Sequence, residues 1–280
     1  FMPIVDDPYD FGRIAATNAI SDVYAMGGRP IMALALVGMP INVLPAEVIA
    51  RILAGGEAVC QAAGIPIAGG HSIDSVEPIY GLVALGLVHP KLVKRNADAR
   101  AGDRIILGKP LGVGILSAAL KKDAVDASGY AKMIATTTQL NTPGPELAAL
   151  PGVHAMTDVT GFGLAGHALE LARAAQCSLN IEWSRVPLLD GVLKLAAEGI
   201  VTGASGRNFA SYGHDIALPA DFAPAARALL TDPQTSGGLL VSCAEDSVAA
   251  VLQTFRKHGF ASATEIGAVA PRGEVLLTIR

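Results

Sequence analysis

The sequence predicts a protein of the α/β class, of the α+β type, built from two domains. The chain has 280 residues, 51% of them hydrophobic, which is enough for one large core or two ordinary ones. Apolar runs typical of strands alternate with helical patterns in both halves. A charged stretch at residues 91–103 separates the halves. We therefore predict a first domain over residues 1–95 and a second over residues 103–280.

In the first half, the apolar periodicity predicts a helix over residues 10–26 that is closed by Gly27 and Gly28. Further strands and helices follow from the same reasoning. The elements expected in this half after the first helix are a strand at 31–39, a helix at 46–64, a short strand at 66–69 and a strand at 79–88.

The second half begins with a strand at 104–107, a glycine-rich turn at 108–114 and a helix at 115–122. Residues 203–214 are predicted as a loop, in which residues 207–214 combine donors with an aromatic group and indicate a ligand-facing lid. The remaining predicted elements are helices at 128–140, after Asp158, at 192–198, 224–230 and 246–258, and strands ending at Asp158 and at 178–183, 238–242, 264–269 and 274–279.

Composition excludes several classes of protein. The formal net charge is −4 and the basic residues are scattered, so the basic patch of a nucleic-acid binder is missing. The longest uncharged run near the start, residues 30–46, is interrupted by two prolines and is too short for a membrane helix. No signal peptide is visible, so we expect a soluble cytoplasmic protein. Cys60, Cys177 and Cys243 lie far apart, which predicts small core residues rather than disulfides or a zinc site.

Asp158 closes an apolar run and precedes a glycine-rich turn, which makes it the first candidate metal ligand. An acid at a strand end, beside backbone N–H groups that can hold phosphate, suits a magnesium-nucleotide enzyme. Two alternatives remain open at this point. Gly161, Gly163 and Gly166, with Glu182 downstream, fit the dinucleotide-binding fingerprint, although Asp158 would repel a pyrophosphate unless a cation lay between them. Asp158 could equally be a solvated cap of a tight turn.

Asn18 and Asp22 are four residues apart and therefore share one face of the first predicted helix. No basic residue lies within a helical turn of Asp22, so burying its charge would be costly without a metal or a distant cation. Asp22 is therefore predicted as a second metal ligand. The alternative is that this face of the helix simply meets water.

Two further glycine-rich segments are candidate phosphate contacts. Gly70, His71 and Ser72 follow an apolar strand and combine close backbone approach with side-chain donors. An ordinary turn with a surface histidine explains the same residues. The segment 232–238 has a similar character and the same ambiguity. No P-loop is present, and Lys109 begins a strand-to-helix turn without the hydroxyl that a P-loop requires.

Taken together and in this order, five segments resemble the selenophosphate synthetases (selenide, water dikinases). The likeness extends from residue 1 to residue 280. The segments are Thr17-Asn18-Ala19-Ile20-Ser21-Asp22, Gly69-Gly70-His71-Ser72-Ile73-Asp74, Thr157-Asp158-Val159-Thr160-Gly161-Phe162-Gly163, Arg207-Asn208-Phe209-Ala210-Ser211-Tyr212-Gly213 and Asp232-Pro233-Gln234-Thr235-Ser236-Gly237-Gly238.

The resemblance implies a two-domain fold like that of aminoimidazole ribonucleotide synthetase, with a homodimer formed through the first domain. It implies conversion of ATP, selenide and water to selenophosphate, AMP and orthophosphate. Asp22 and Asp158 would hold Mg²⁺, and Asn18 and Asp22 would lie at the ATP site. Gly70, His71 and Ser72 would reach ATP bound to the partner subunit. A monovalent cation is a further candidate cofactor.

The chain departs from this family at its start. The family's reactive cysteine or selenocysteine, an ATP-contacting lysine and another magnesium-binding aspartate lie ahead of the position of Phe1. We therefore expect an incomplete first domain, no catalytic residue within the chain, and little activity without the upstream segment. Two rival functions stay open: another kinase or synthetase of the superfamily, such as thiamine-monophosphate kinase, and a non-catalytic dimeric nucleotide-binding module.

Overall fold

The computed structural model describes residues 3–280 of the chain. Residues 1 and 2, where the predicted first domain begins and on which the expectation of an upstream segment depends, lie outside the described residues. Within residues 3–280, no helix is both long and apolar enough to cross a membrane. All three cysteines are buried and free, as the sequence predicts.

The first domain is a three-stranded sheet with two helices packed on one face. Its sheet has the order β2-β1-β3, in which β1 is parallel to β2 and antiparallel to β3. Its elements are α1 (Pro8–Ala25), β1 (Arg29–Met39), α2 (Ala46–Ala62), β2 (Ile67–Asp74) and β3 (Ile79–Leu87).

Local sequence signals explain where α1 begins. The carboxylate of Asp7 accepts a hydrogen bond from the backbone N–H of Asp10 at 3.0 Å, and Pro8 occupies the first turn. Both features satisfy or remove backbone donors that a helix start leaves unpaired. Inward-facing side chains of α1, such as Ala16 and Ile20, pack on the sheet with Ala33 of β1.

The other face of this sheet is open and apolar. Residues that pair across the strands have side chains on the same face of the sheet. The side chains on the face that does not contact the helices are largely exposed. Leu36, for example, is 50% exposed and Ile73 56% exposed. We call this the open sheet face and define it by Leu34, Leu36, His71, Ile73, Val83 and Leu85.

The second domain is a seven-stranded mixed sheet of order β5-β8-β4-β9-β6-β10-β7, covered by helices. Most neighbours are antiparallel, and β10 is parallel to both β6 and β7. Its elements are β4 (Arg104–Leu107), α3 (Val113–Leu120), α4 (Ala127–Thr137), α5 (Gly144–Ala149), β5 (Val153–Asp158), α6 (Gly163–Ala175), β6 (Cys177–Ile181), α7 (Val192–Ala197), α8 (Gly203–Tyr212), β7 (Ile216–Ala217), α9 (Pro224–Leu230), β8 (Leu239–Cys243), α10 (Val248–Lys257), β9 (Thr264–Pro271) and β10 (Leu277–Ile279).

This topology rules out the dinucleotide-binding alternative. That fold requires two parallel, adjacent strands joined by the helix that follows the glycine turn. Here β5 and β6 flank α6, but three strands separate them in the sheet, and β5 pairs antiparallel with β8. The glycines after Asp158 therefore form a different kind of strand-to-helix turn.

Three local predictions were wrong. The lid expected at residues 203–214 is largely the helix α8, capped by the Thr202 hydroxyl, which accepts from the Ser205 N–H at 3.1 Å. Its start is rich in glycine and serine, so it carries little apolar periodicity. The short helix α5 was missed. Finally, β2 continues through Gly69 and Gly70 to Asp74 instead of ending before a turn.

The continuation of β2 depends on close backbone approach. A Cβ atom at Gly70 would lie only 2.0 Å from the carbonyl oxygen of Ala35 in the neighbouring strand β1. Its φ angle of 156° is also rarely adopted by residues that carry a side chain. A glycine that seems to signal a turn in the sequence is here required for strand pairing.

The two domains share a hydrophobic core. Phe11 and Ile14 of α1 pack in one buried cluster with Ile115, Leu116 and Met133 of the second domain. Because α1 is buried between the domains, any side chain on its second-domain side lies close to the strand and loop ends of that domain. This packing positions the site described next.

Candidate active site

Asp158 lies at the end of β5 and is 6% exposed. The turn after it enters α6 at Gly163, whose φ of +70° favours glycine. A Cβ atom at Gly163 would also lie 2.7 Å from the carbonyl carbon of Thr231. One carboxylate oxygen of Asp158, Oδ2, accepts a hydrogen bond from the Ser21 hydroxyl of α1 at 2.5 Å.

The structure brings Asp22 and Asp158 together at one cavity of about 390 Å³, although they are in different domains. Asp22 is next to Ser21 on α1, so the helix that fixes Asp158 also presents the second acid. The cavity is lined by Asp22, Ala25, Met26, Lys94, Arg95, Asn96, Met156, Thr157 and Asp158.

The charges at this cavity favour binding of a cation. Desolvation raises the pKa of Asp22, the neighbouring charge of Asp158 raises it further, and His167 opposes the shift. Among residues 3–280, neither acid forms a salt bridge with a lysine or arginine. Two carboxylates that repel each other and form no such salt bridge are stabilised by a bound cation.

Two carboxylates are oxygen donors of the kind that Mg²⁺ takes in proteins. No group of three or more histidine, cysteine, aspartate or glutamate side chains suited to a metal occurs in the described part of the chain. A metal at Asp22 and Asp158 would therefore complete its coordination with water and ligand oxygens. Mg²⁺ binds in this way, through one or two carboxylates plus substrate phosphates.

The sequence argument about the surroundings of Asp22 was only partly right. Asp22 is exposed at the cavity, and Asn18 is half-buried, so this face of α1 is not sealed from water. The cost of burying a charge therefore does not by itself require a metal at Asp22. The charge of Asp158 adds to the partial desolvation of Asp22, and both raise its pKa and favour a cation at this position.

Asn18 forms a hydrogen bond to the second domain. Its side-chain oxygen accepts a hydrogen bond from the backbone N–H of Ser236 at 3.0 Å. The Ser236 hydroxyl in turn donates to the carbonyl of Ile14 at 3.3 Å. Asn18 is not among the residues that line the carboxylate cavity, and it joins α1 to the segment 232–238.

The segment 232–238 is buried and organises a neighbouring turn. Gln234 accepts through its side-chain oxygen from the N–H groups of Gly112 and Val113, at 3.1 and 3.2 Å. Asp232 accepts from the N–H of Ile115 at 3.2 Å. Both acceptors therefore satisfy backbone donors at the start of α3. Burial raises the pKa of Asp232 to about 7.

Lys109 was not singled out by the sequence and proves to be a buried anchor. It is 1% exposed, and its ammonium donates to the carbonyls of Thr136, Gln139 and Ser236 at 3.1, 2.6 and 2.6 Å. Burial lowers the pKa of Lys109 to about 7, while the negative charge of Asp158 opposes that shift. Nothing in the turn sequence signals this role, because the three acceptors are distant backbone carbonyls.

Gly70, His71 and Ser72 do not join the carboxylates within the chain. They line a separate cavity of about 660 Å³ between β2 and α2, which shares no lining residue with the Asp22 and Asp158 cavity. All three residues are exposed on the edge strand β2. One chain thus presents two distinct candidate binding surfaces.

Two family models match the chain, one for each domain. The N-terminal domain of "AIR synthase related protein" matches residues 1–88, and its C-terminal domain matches residues 100–280. The chain is 71% identical over 267 residues to a selenide, water dikinase of Burkholderia pseudomallei (strain K96243), covering 95% of this chain and 75% of that one. It is 69% identical, with the same coverage, to that of Pseudomonas straminea. The chain belongs to the selenide, water dikinase family.

A solved structure confirms the predicted fold. Thiamine-monophosphate kinase from Stenotrophomonas maltophilia K279a superimposes with a TM-score of 0.75 over 99% of this chain and 80% of that chain. The identity is only 18%, so this likeness shows the fold and nothing about the substrate. The much higher identity to selenide, water dikinases favours that family over the rival kinase.

Proposed function

We propose that the chain supplies the metal and ATP site for the reaction of its family, in which ATP, selenide and water give selenophosphate, AMP and orthophosphate. The single observation that carries this proposal is the pair Asp22 and Asp158, contributed by the two domains to one cavity, with no salt bridge from either acid to a lysine or arginine among residues 3–280. Cleavage of two phosphoanhydride bonds places negative charge on phosphate oxygens. An enzyme without a P-loop needs metals held by carboxylates to neutralise it.

In this proposal, Asp22 and Asp158 hold Mg²⁺, which neutralises charge on the ATP phosphates. Ser21 orients the Asp158 carboxylate through the 2.5 Å hydrogen bond. Lys94 and Arg95, from the segment between the domains, line the same cavity and add positive charge beside the bound anion. Selenide is already a strong nucleophile, so the remaining task of the protein is to position it and exclude water.

The proposal is tested by magnesium-dependent ATP binding, measured by calorimetry on the chain and its variants. Asp22→Asn and Asp158→Asn should each weaken binding at least tenfold, about 1.4 kcal/mol, because each removes a charged ligand. Asp221→Asn, at an exposed acid outside the cavity, is the matched control and should bind like the parent. Unchanged binding by both cavity variants would refute the metal assignment.

The family resemblance also places Gly70, His71 and Ser72 at ATP bound to the partner subunit, and we keep this as part of the proposal. Two features support it. These residues are exposed at a sheet edge, and their cavity is separate from the carboxylate cavity of the same chain. Binding across two subunits would use both surfaces.

A homodimer formed through the open sheet face accompanies this arrangement. Contiguous exposed apolar side chains of this kind mark interaction surfaces. Leu36→Glu combined with Val83→Glu should place charges on the face and convert the dimer to a monomer in sedimentation velocity. Val76→Glu, at a 96% exposed residue of the loop between β2 and β3 that is not part of the open sheet face, is the control. A dimer that survives the double substitution would contradict this interface.

A further inference from the structure

A series of hydrogen bonds runs from Asn141, in the loop between α4 and α5, through Ser21 to Asp158. Asn141 is 1% exposed, and its amide nitrogen lies 2.9 Å from both the Ser21 hydroxyl and the Gly237 carbonyl oxygen. The Gly237 carbonyl can only accept a hydrogen bond. The side-chain atom facing it must therefore be the amide nitrogen, which fixes the orientation of the Asn141 amide.

The same logic fixes the direction of the next bond. Because the Asn141 nitrogen donates to Ser21, the Ser21 hydroxyl accepts there and directs its only proton to Asp158 Oδ2. Oδ2 therefore accepts from Ser21. If the Ser21 side chain rotated away from Asp158, it would also lose its hydrogen bond from Asn141. Asp158 also lines the cavity, so its second oxygen, Oδ1, is the one left for a ligand.

Lys109 connects the two segments that hold the Asn141 amide. Lys109 binds the carbonyls of Gln139 and Ser236, which lie close in sequence to Asn141 and Gly237 respectively. Both segments that hold the Asn141 amide are therefore joined to one buried ammonium. Among the described residues, the Asn141 side-chain oxygen is buried without a hydrogen-bond partner, so the contacts of this amide are those that its nitrogen donates.

We propose that Ser21 and Asn141 are positioning residues that hold the Asp158 carboxylate in the orientation needed to bind metal. This inference rests on the proposed function of Asp158 as a metal ligand. Partners that hydrogen-bond to metal ligands typically change metal affinity 10- to 100-fold when they are removed. Since Ser21 belongs to the first domain and Asp158 to the second, metal binding depends on the docking of the two domains.

The test measures Mg²⁺ affinity by calorimetry on the chain, with the metal alone as the probe. Ser21→Ala should weaken Mg²⁺ binding about tenfold, and Asn141→Ala less, because Ser21 can still donate to Asp158. Thr17→Ala is the matched control. Thr17 is a buried hydroxyl one turn earlier on α1, and it donates only to the Arg13 carbonyl at 2.9 Å. It should lower stability without changing Mg²⁺ affinity.

Each outcome decides between the two proposals. Unchanged Mg²⁺ affinity in Ser21→Ala, with loss in Asp158→Asn, overturns the positioning role and leaves the metal site standing. Unchanged affinity in Asp158→Asn, or no Mg²⁺ binding by the parent, overturns both. If Ser21→Ala does not fold, Ser21→Cys nearly keeps the side-chain volume with a weaker donor, and parent-like affinity in that variant also overturns the positioning role.

Discussion

Replacing Lys109 with methionine should lower the free energy of unfolding by about 3 to 5 kcal/mol, measured by urea denaturation. The ammonium is the shared donor to the carbonyls of Thr136, Gln139 and Ser236. Methionine has a similar length but donates no hydrogen bond, so three carbonyls would lose their partner. Each buried acceptor left unsatisfied costs about 1 to 3 kcal/mol, although relaxation and the removal of a buried charge offset part of the sum.

Lys94→Met is the matched control for this prediction. Lys94 is nearly buried, at 9% exposed, but its ammonium donates to a single carbonyl, that of Val153, at 2.6 Å. We expect a loss of about 1 to 2 kcal/mol there. Equal losses in the two variants, or a loss below about 1 kcal/mol for Lys109→Met, would show that the three-carbonyl anchor contributes no more than one ordinary buried hydrogen bond.

Asp232→Asn should remove a pH dependence of stability that the parent shows between about pH 4 and pH 7. Burial raises the pKa of Asp232 from 3.8 to about 7, against the opposing hydrogen bonds from Ile115 and Gln234. Between these two values the folded protein binds a proton that the unfolded chain has released. The free energy of unfolding therefore falls as pH rises through this window, by on the order of 4 kcal/mol for one such group.

The asparagine variant keeps the shape and has no ionisable proton. Its amide oxygen can still accept from the N–H of Ile115. Urea denaturation at pH 4.5, 6 and 8 should show that the free energy of unfolding of Asp232→Asn increases relative to that of the parent as pH rises. Asp221→Asn, at an exposed acid, should follow the parent. Parallel pH profiles for Asp232→Asn and the parent would contradict the prediction.

Local signals account for what sequence reasoning predicted well. The helix at 224–230 has a proline at its start and the strand at 104–107 is a short apolar run, and both appear with those bounds. These signals act over a few residues and need no tertiary contact. Reasoning failed where tertiary packing overrides local preference. In β2, Gly70 extends a strand because β1 approaches too closely for a side chain.

The sequence likewise identified individual residues of the candidate site but not how they come together. Asp22 and Asp158 could be named from the sequence, because an acid beside a helical or glycine-rich motif is a local pattern. Their meeting at one cavity could not be derived from spacing, since it depends on α1 packing between the domains. His71 remains a predicted ATP contact, and the chain by itself places it at a different cavity.

The sequence by itself therefore determined the class of fold, most helices and strands, the family and the two acids. Only the tertiary structure decided what surrounds those acids. The hydroxyl of Ser21 reaches Asp158 across 137 positions of sequence, and Lys109 binds a carbonyl 127 positions away. Such contacts carry no local periodicity or composition. They arise because burial in a shared core forces polar groups from distant segments to satisfy one another.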